Sequence, residues 1–385
     1  MNNKFIPLSV PNLKGRELEY VTRAVETEWV STGGPYVTEF ENKTAEYVKA
    51  KGAVSCQNGT SGLHISLMLC GVTNNDEVIV PALTFIAAVN PVKYIGAEPI
   101  FMDCDDSLTI DPDKLLEFCE GECSFIDGKL INNTTKKHIK AIIIVHVFGN
   151  MADMIKIMDI ADKFNLKVIE DATEAIGTYY TSGKYEGKYA GTIGDVGVYS
   201  FNGNKIITTG GGGMIVSNNE ELLKKAKHLT TQAKVDVVYF IHDEIGYNYR
   251  MTNLQAALGL AQLEQLEKFI EVKKQNYYLY KEKLEKVPGL EILNFREDIR
   301  SNYWFYALKC SEEYRMDRDE IIKYLSSKNI QSRPIWGLIN EQKPYLKNQA
   351  YNIEKAKFYL DHIVNIPCSS NLTKEDAEYV IECLN

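Results

Sequence analysis

KAIIIVHVFGNMADMIKIMDIADKFNLKVIED, residues 140–171, decides the fold class. Ala141–Val145 is a short apolar run, Asp153–Phe164 repeats its apolar residues at helical spacing, and Lys167–Glu170 is again short and strand-like. A strand buried on both faces reads as a continuous apolar run, so this order means strand, covering helix, strand. Working outward, the same alternation holds from about residue 14 to 250. Further strands are expected at Ala53–Cys56, Glu77–Val80, Pro99–Asp103, Val196–Ser200 and Gly213–Ser217, with helices at Gly62–Cys70 and Asn219–Thr231. The expected class is α/β, a mostly parallel mixed sheet covered by helices. Such sheets bind ligands beyond the carboxyl ends of their strands, which directs attention to the loops after Cys56, Glu170 and Ser200.

Past Asn253, LQAALGLAQLEQLEKFIEVKKQNYYLYKEKLEKV (254–287) reads as one uninterrupted connector helix that stops at Pro288-Gly289. The remainder alternates strand-like LEIL and WFYALKC with helices beginning near Asp317, Ile353 and Lys374. Two domains are therefore expected, a large one at 1–252 and, at 253–385, the connector with a smaller C-terminal α+β domain. Glu120–Lys140 is polar and turn-rich and reads as a surface insertion.

The charge balance narrows the function. Binding polyphosphate needs a dense basic face, and 43 basic residues among 52 acidic ones, for a net charge of −9, exclude a nucleic-acid platform. With 385 residues the chain can build a sizeable cleft, so small-molecule chemistry is expected. Eight cysteines stand singly, without zinc-ribbon or redox spacing, and are expected as reduced, mostly buried thiols. The opening MNNKFIPLSV lacks signal-peptide features and no apolar run approaches about twenty residues, so a cytoplasmic protein without a membrane partner is expected.

Three segments carry chemistry. In VIEDATEAIG (168–177) an apolar strand runs into Glu170-Asp171, and an acid there is poorly solvated unless a cation sits beside it. A protonated pyridine nitrogen would serve Asp171; an ordinary helix cap is the alternative. In VGVYSFNGNKIITTGGGGMI (196–215), Lys205 lies in a turn between two strands, where desolvation makes an amine nucleophilic and suited to a Schiff base. Ser200, at the strand end, can reach a phosphate; Gly210–Gly213 lacks the GK[ST] ending of a phosphate loop and reads as a flexible turn. In NGTSGLH (58–64), Gly59, Thr60 and Ser61 open a helix and offer either a phosphate cradle or plain capping. Phe85, after a strand in ALTFIAAV, can stack on a flat cofactor or simply fill the core. His64 is expected as a hydrogen-bonded packing residue and His146 near the site; with no HxxxH-type pairing, no metal is expected.

The order of these pieces resembles the DegT-type sugar nucleotide aminotransferases, which are fold type I pyridoxal-phosphate (PLP) enzymes. The resemblance covers nearly the whole chain through NGTSGLH, PALTFIAAVNPV, AEPIFMDCD, VHVFGN, IEDATEAIG, GDVGVYSFNGNKIITTGGGGM, IGYNYRMTNLQAALGLAQLE and SRPIW. It implies that Lys205 carries the cofactor and shuttles the proton, that Asp171 holds the ring nitrogen, that Phe85 stacks on the ring, and that Gly59, Thr60, Ser61 and Ser200 bind the phosphate. It further implies a homodimer, in which Asn248 of IGYNYR reaches the phosphate held by the neighbouring subunit, and a nucleotide sugar bound by Arg250, Arg333 and Trp336. Glu174 stands where many members have Gln or His beside the cofactor's phenolic oxygen, and Gly211 replaces a common Glu. Lys205, where deoxygenating relatives carry His, implies transamination. The subgroup most resembled moves the amino group of L-glutamate to C4 of a UDP-4-keto-6-deoxy-N-acetylhexosamine, on the route to bacillosamine or legionaminic acid in bacterial surface glycans. The alternatives are a GDP-perosamine or dTDP-amino-sugar synthase with the same mechanism, and a non-catalytic regulatory protein on the same fold.

Overall fold

A computed structural model describes residues 4–236 and 238–385. The expected apolar runs form the strands β1 (Gly52–Cys56), β2 (Asp76–Pro81), β3 (Glu98–Met102), β6 (His138–Val145), β7 (Lys167–Asp171), β9 (Val196–Ser200) and β10 (Gly213–Ser217). Between them come the hairpin strands β4 (Cys123–Ile126) and β5 (Lys129–Asn132), and the short β8 (Tyr179–Tyr180), which pairs with Ile299–Arg300. Across the large sheet the order is β1, β10, β9, β7, β6, β2, β3 and Ala350–Tyr351. From β9 onward neighbours are parallel, while β10 runs antiparallel to both β1 and β9. The carboxyl ends of β1, β2, β6, β7 and β9 therefore share one edge. Cys56 and Ser200 both face Gly213 in register, and Val198 faces Asp171.

Residues Ala141–Val145 and Val168–Asp171 are buried without interruption, as a sheet covered on both faces demands. The helix Met154–Phe164 joins β6 to β7 and is capped by the Asp153 carboxylate, which accepts the Lys156 amide.

Three expectations change. The stretch after Asn253 is two helices, Asn253–Leu263 and Leu266–Leu284. No breaker residue marks the joint; the cause is tertiary. Buried Gln262 donates to the Asn12 carbonyl and Glu17 and accepts the Thr208 amide, which fixes the first helix against the N-terminal helices. The second helix packs instead on Leu290–Ile292 and Lys374–Leu384. The segment Glu120–Lys140 is a β-hairpin whose second strand pairs with the start of β6. Its turn is Asp127-Gly128, both at positive φ (50° and 73°), the pairing that two-residue hairpins favour. The helix expected at Gly62 begins at Gly59, which places Gly59, Thr60 and Ser61 in its first turn.

A second, four-stranded antiparallel sheet runs Leu290–Ile292, Tyr306–Cys310, Ile363–Ile366 and Arg333–Pro334. Three short pairings link the segments on either side of residue 252: Ala350–Tyr351 with β3, Ile299–Arg300 with β8, and Ile6 with Ile330.

Candidate active site

The shared edge of the large sheet opens into a cavity of about 540 Å³ lined by residues from the ends of β6, β7 and β9, by the start of the helix Gly59–Leu69, and by Trp304 and Trp336 from the C-terminal part. Each wall follows from local chemistry.

The helix Gly59–Leu69 starts at Asn58, whose Oδ1 accepts the Ser61 amide at 2.8 Å. The amides of Gly59 and Thr60 have no hydrogen-bond partner among the described residues, and the positive end of the helix points with them into the cavity. A Cβ at Gly59 would lie 2.9 Å from Thr173 Cγ2 and 3.1 Å from Ser200 Cβ, so only glycine lets this turn approach the β9 end so closely. Thr60 and Ser200 line the cavity, while Ser61 sits behind it.

Alternation along β7 sends Glu170 and Asp171 to opposite sides. Glu170 accepts the amides of Gly191, Ile193 and Gly194 and the Nε2 of His146 at 2.9 Å; His146 Nδ1 accepts the Ala152 amide. Both are fully buried structural anchors, and His146 does not reach the cavity. Asp171 does, and its carboxylate accepts the Thr173 amide at 3.1 Å. No helix follows it, so this bond is a local turn rather than a helix cap. Burial pushes its carboxyl above the ordinary range, which marks an acid that gains from a neighbouring cation.

Lys205 hangs from the turn after β9, its amide bonded to the Asn202 carbonyl. Its Nζ lies 3.7 Å from Glu174 Oε1 and 4.1 Å from the centroid of the Trp304 ring. Burial lowers the amine's pKa, partly opposed by Glu174 and Asp171. Glu174 is 3% exposed and pushed up to about 7 by burial, with Lys205 pulling the other way. Its Oε2 accepts the amide of Phe148 at 2.8 Å, and Phe148 adopts φ 59° to present it.

Phe85 also lines the cavity and is 54% exposed, a large ring face turned to open space. Trp336 lines the cavity beside Phe148 at 4.9 Å. The remaining expected cofactor and substrate residues lie elsewhere. Asn248 is exposed and pairs through its backbone with Thr231, Arg250 follows in the same segment, and Arg333 is exposed on the edge strand of the small sheet. His64 packs against Tyr94, Tyr247 and Tyr249, with Tyr249 Oη 3.4 Å from its Nδ1.

Sequence reading missed Thr84, Asn204, Gln255 and Trp304 as cavity residues. Gln255 carried a signal, because Thr252 and Gln255 form a capping box, and its Nε2 also donates to the Gly211 carbonyl at 2.7 Å. An added Cβ at Gly211 would meet only Gln255 Nε2, at 3.8 Å, so the space of the missing Glu side chain is open. Among the described residues the one metal-donor cluster, His228, Asp243 and Glu244, stands on an exposed segment away from this cavity.

A buried acid lacking a cation, a desolvated amine, two free amides at a helix start and an open aromatic face fit a pyridine ring that bears a phosphate and an aldehyde. The model of the DegT/DnrJ/EryC1/StrS aminotransferase family matches residues 11–385. The chain is similar to a GDP-perosamine synthase of Escherichia coli O157:H7, 38% identical over 99% of this chain and 98% of the relative. It is also similar to a UDP-4-amino-4,6-dideoxy-N-acetyl-beta-L-altrosamine transaminase of Campylobacter jejuni, 29% identical over 98% and 96%. The crystal structure of a DegT DnrJ EryC1 StrS aminotransferase from Brucella abortus superposes with a TM-score of 0.87 at 26% identity, covering 96% of this chain and 94% of that one.

Proposed function

The chain belongs to the DegT/DnrJ/EryC1/StrS aminotransferase family, and from that premise we propose that it aminates a keto-sugar carried by a nucleotide, with Lys205 as the reacting residue. It is a PLP-dependent sugar aminotransferase. When bound, the cofactor supplies the electron sink that stabilises a carbanion at the carbon losing or gaining the amine.

The protein's own groups do the rest. Lys205 holds the cofactor covalently and, once released, moves the proton at the amine-bearing carbon, a task for which a neutral amine near operating pH is required and which burial favours. Asp171 would hold the ring nitrogen, where a cation offsets its desolvation and returns the carboxyl to the anionic form. The Gly59 and Thr60 amides and the Ser200 hydroxyl, with Ser61 behind them, would hold the phosphate, and Phe85 would stack on the ring. Glu174, a carboxyl of pKa about 7, would serve the phenolic oxygen as a donor, as Gln would. Trp336, which lines the cavity, would receive the nucleotide sugar, whereas Arg250 and Arg333 lie outside that cavity.

A second copy completes the site in this reading. The hairpin around 234–242 exposes Val235, Tyr239, Phe240 and Ile241, and Ile245 follows at 82% exposure. An apolar surface of this kind fits a partner subunit, whose Asn248 would reach the phosphate. The division at 252/253 is likewise proposed as a domain boundary, with the second sheet built wholly from residues after 289. No helix among the described residues is long and apolar enough to cross a membrane. The cytoplasm, where nucleotide sugars and L-glutamate meet, is the compartment proposed.

The greater likeness to a GDP-perosamine synthase than to the UDP-sugar transaminase, 38% against 29%, supports a GDP-linked 4-keto-6-deoxy sugar as acceptor. The UDP-4-keto-6-deoxy-N-acetylhexosamine expected from the motifs is the second reading. One observation carries the reaction type: the Lys205 amine, the Asp171 carboxyl and the amides of Gly59 and Thr60 face one cavity. Purified protein should transfer amine from L-glutamate to one of the GDP- and UDP-linked keto-sugars in a panel, with the accepted nucleotide choosing between the readings. K205A should lose transfer by at least about 10³-fold; transfer at the wild-type rate would sink the assignment.

A further inference from the structure

Trp304 lies in none of the motifs tied to the chemistry, yet it touches the reacting lysine and the residue before it. Its indole Nε1 donates to the Asn204 carbonyl at 2.9 Å, one residue before Lys205, and the same carbonyl accepts Ser9 Oγ at 3.3 Å. Its ring face lies 4.1 Å from Lys205 Nζ. The side chain is 2% exposed and set by its own backbone, because the Trp304 amide bonds to Asn302 Oδ1 while Asn302 Nδ2 donates to the carbonyls of Glu174 and Ile176. The amine thus rests between one carboxylate and one aromatic face, both referenced to the same asparagine.

A lysine that carries a cofactor has two positions, one engaged and one released. In the released position a compact ammonium in a desolvated site needs a defined resting place, and an indole face attracts a cation without the rigid pairing of a salt bridge. We propose that Trp304 is a positioning residue for Lys205: its N–H fixes the turn at Asn204, and its ring face receives the amine when it is released and protonated. This rests on the reading of Lys205 as the cofactor-bearing lysine. A residue that merely filled space between Phe148 and Phe305 would need neither the indole N–H on Asn204 nor a ring face turned to Nζ.

The test uses the full chain with W304L, which keeps apolar bulk, and W304F, which keeps a ring but no N–H. In cofactor-free protein, the pH dependence of Lys205 labelling by trinitrobenzenesulfonate, read by peptide mass spectrometry, gives the amine's titration midpoint. Loss of the ring face should lower that midpoint in W304L by about half a pH unit, with W304F between it and wild type. In the holoenzyme, loss of the N–H bond should speed cofactor release from W304F about fivefold. A W304L midpoint equal to or above wild type overturns the ring-face role, and a wild-type release rate in W304F overturns the backbone role. If near-ultraviolet dichroism shows W304L unfolded, W304F decides both. Borohydride reduction of the wild-type holoenzyme separates the two levels: a phosphopyridoxyl group on another lysine refutes the reading of Lys205, whereas one on Lys205 with unchanged midpoints refutes only the role of Trp304.

Discussion

Glu174 shows how one side chain can tie stability to pH. Its folded-state value of about 7 stands above the ordinary 4.5, so below pH 5 the fold buries a neutral carboxyl at no electrostatic penalty. As pH rises through 7 it must bury a charge, and the group's contribution to stability is lost across that window. Lys205, 3.7 Å away, returns part of the loss. Cofactor-free E174Q should therefore match wild type in thermal stability near pH 5 and exceed it by about 1 kcal/mol near pH 8. Equal stability at both pH values would mean that the carboxyl is not desolvated. Asp171 and Lys205 were legible in the sequence because each follows an apolar strand by a few residues, and local chemistry at a strand end is readable. Trp304 was not, because its partner Asn204 is 100 residues away and only the fold brings them together.

At the scale of elements, strands buried on both faces were readable within a residue, since continuous apolar runs leave little choice of boundary, except that β6 begins three residues early, at His138. Two of the three departures, the joint and the hairpin, have different causes. The joint between Leu263 and Leu266 follows from the burial of Gln262 in a distant network, which periodicity cannot express. The hairpin β4–β5 had a readable signal in Asp127-Gly128 that its polar flanks masked. Nothing lies within 4 Å of a Cβ built on Gly128, so alanine there meets only backbone strain at φ 73°. G128A should cost about 1 kcal/mol in a urea titration. No cost at all would show that the turn does not hold the positive-φ geometry.

For the whole molecule, the expected residues divide into two groups. Gly59, Thr60, Phe85, Asp171, Glu174, Ser200, Lys205 and Trp336 share the cavity, whereas Ser61, just behind it, and Asn248, Arg250 and Arg333 do not line it. A second copy resolves the difference for Asn248, so light scattering should give about twice the 43.6 kDa chain mass. Neither K205A nor N248A should be fully active alone, and mixing them under exchange should restore part of the activity through sites that take Lys205 from one chain and Asn248 from the other. Mixtures no more active than their components would confine the site to one chain.

The clasp on the Asn204 carbonyl also sets a timetable for the newborn protein. One of its donors, Ser9, lies 195 residues before Asn204 and leaves the ribosome well ahead of the other, Trp304, which lies 100 residues after it. Closure of the clasp thus waits for Trp304, and nascent chains halted before residue 304 should keep vitamin B6 poorly even where the large sheet has already folded.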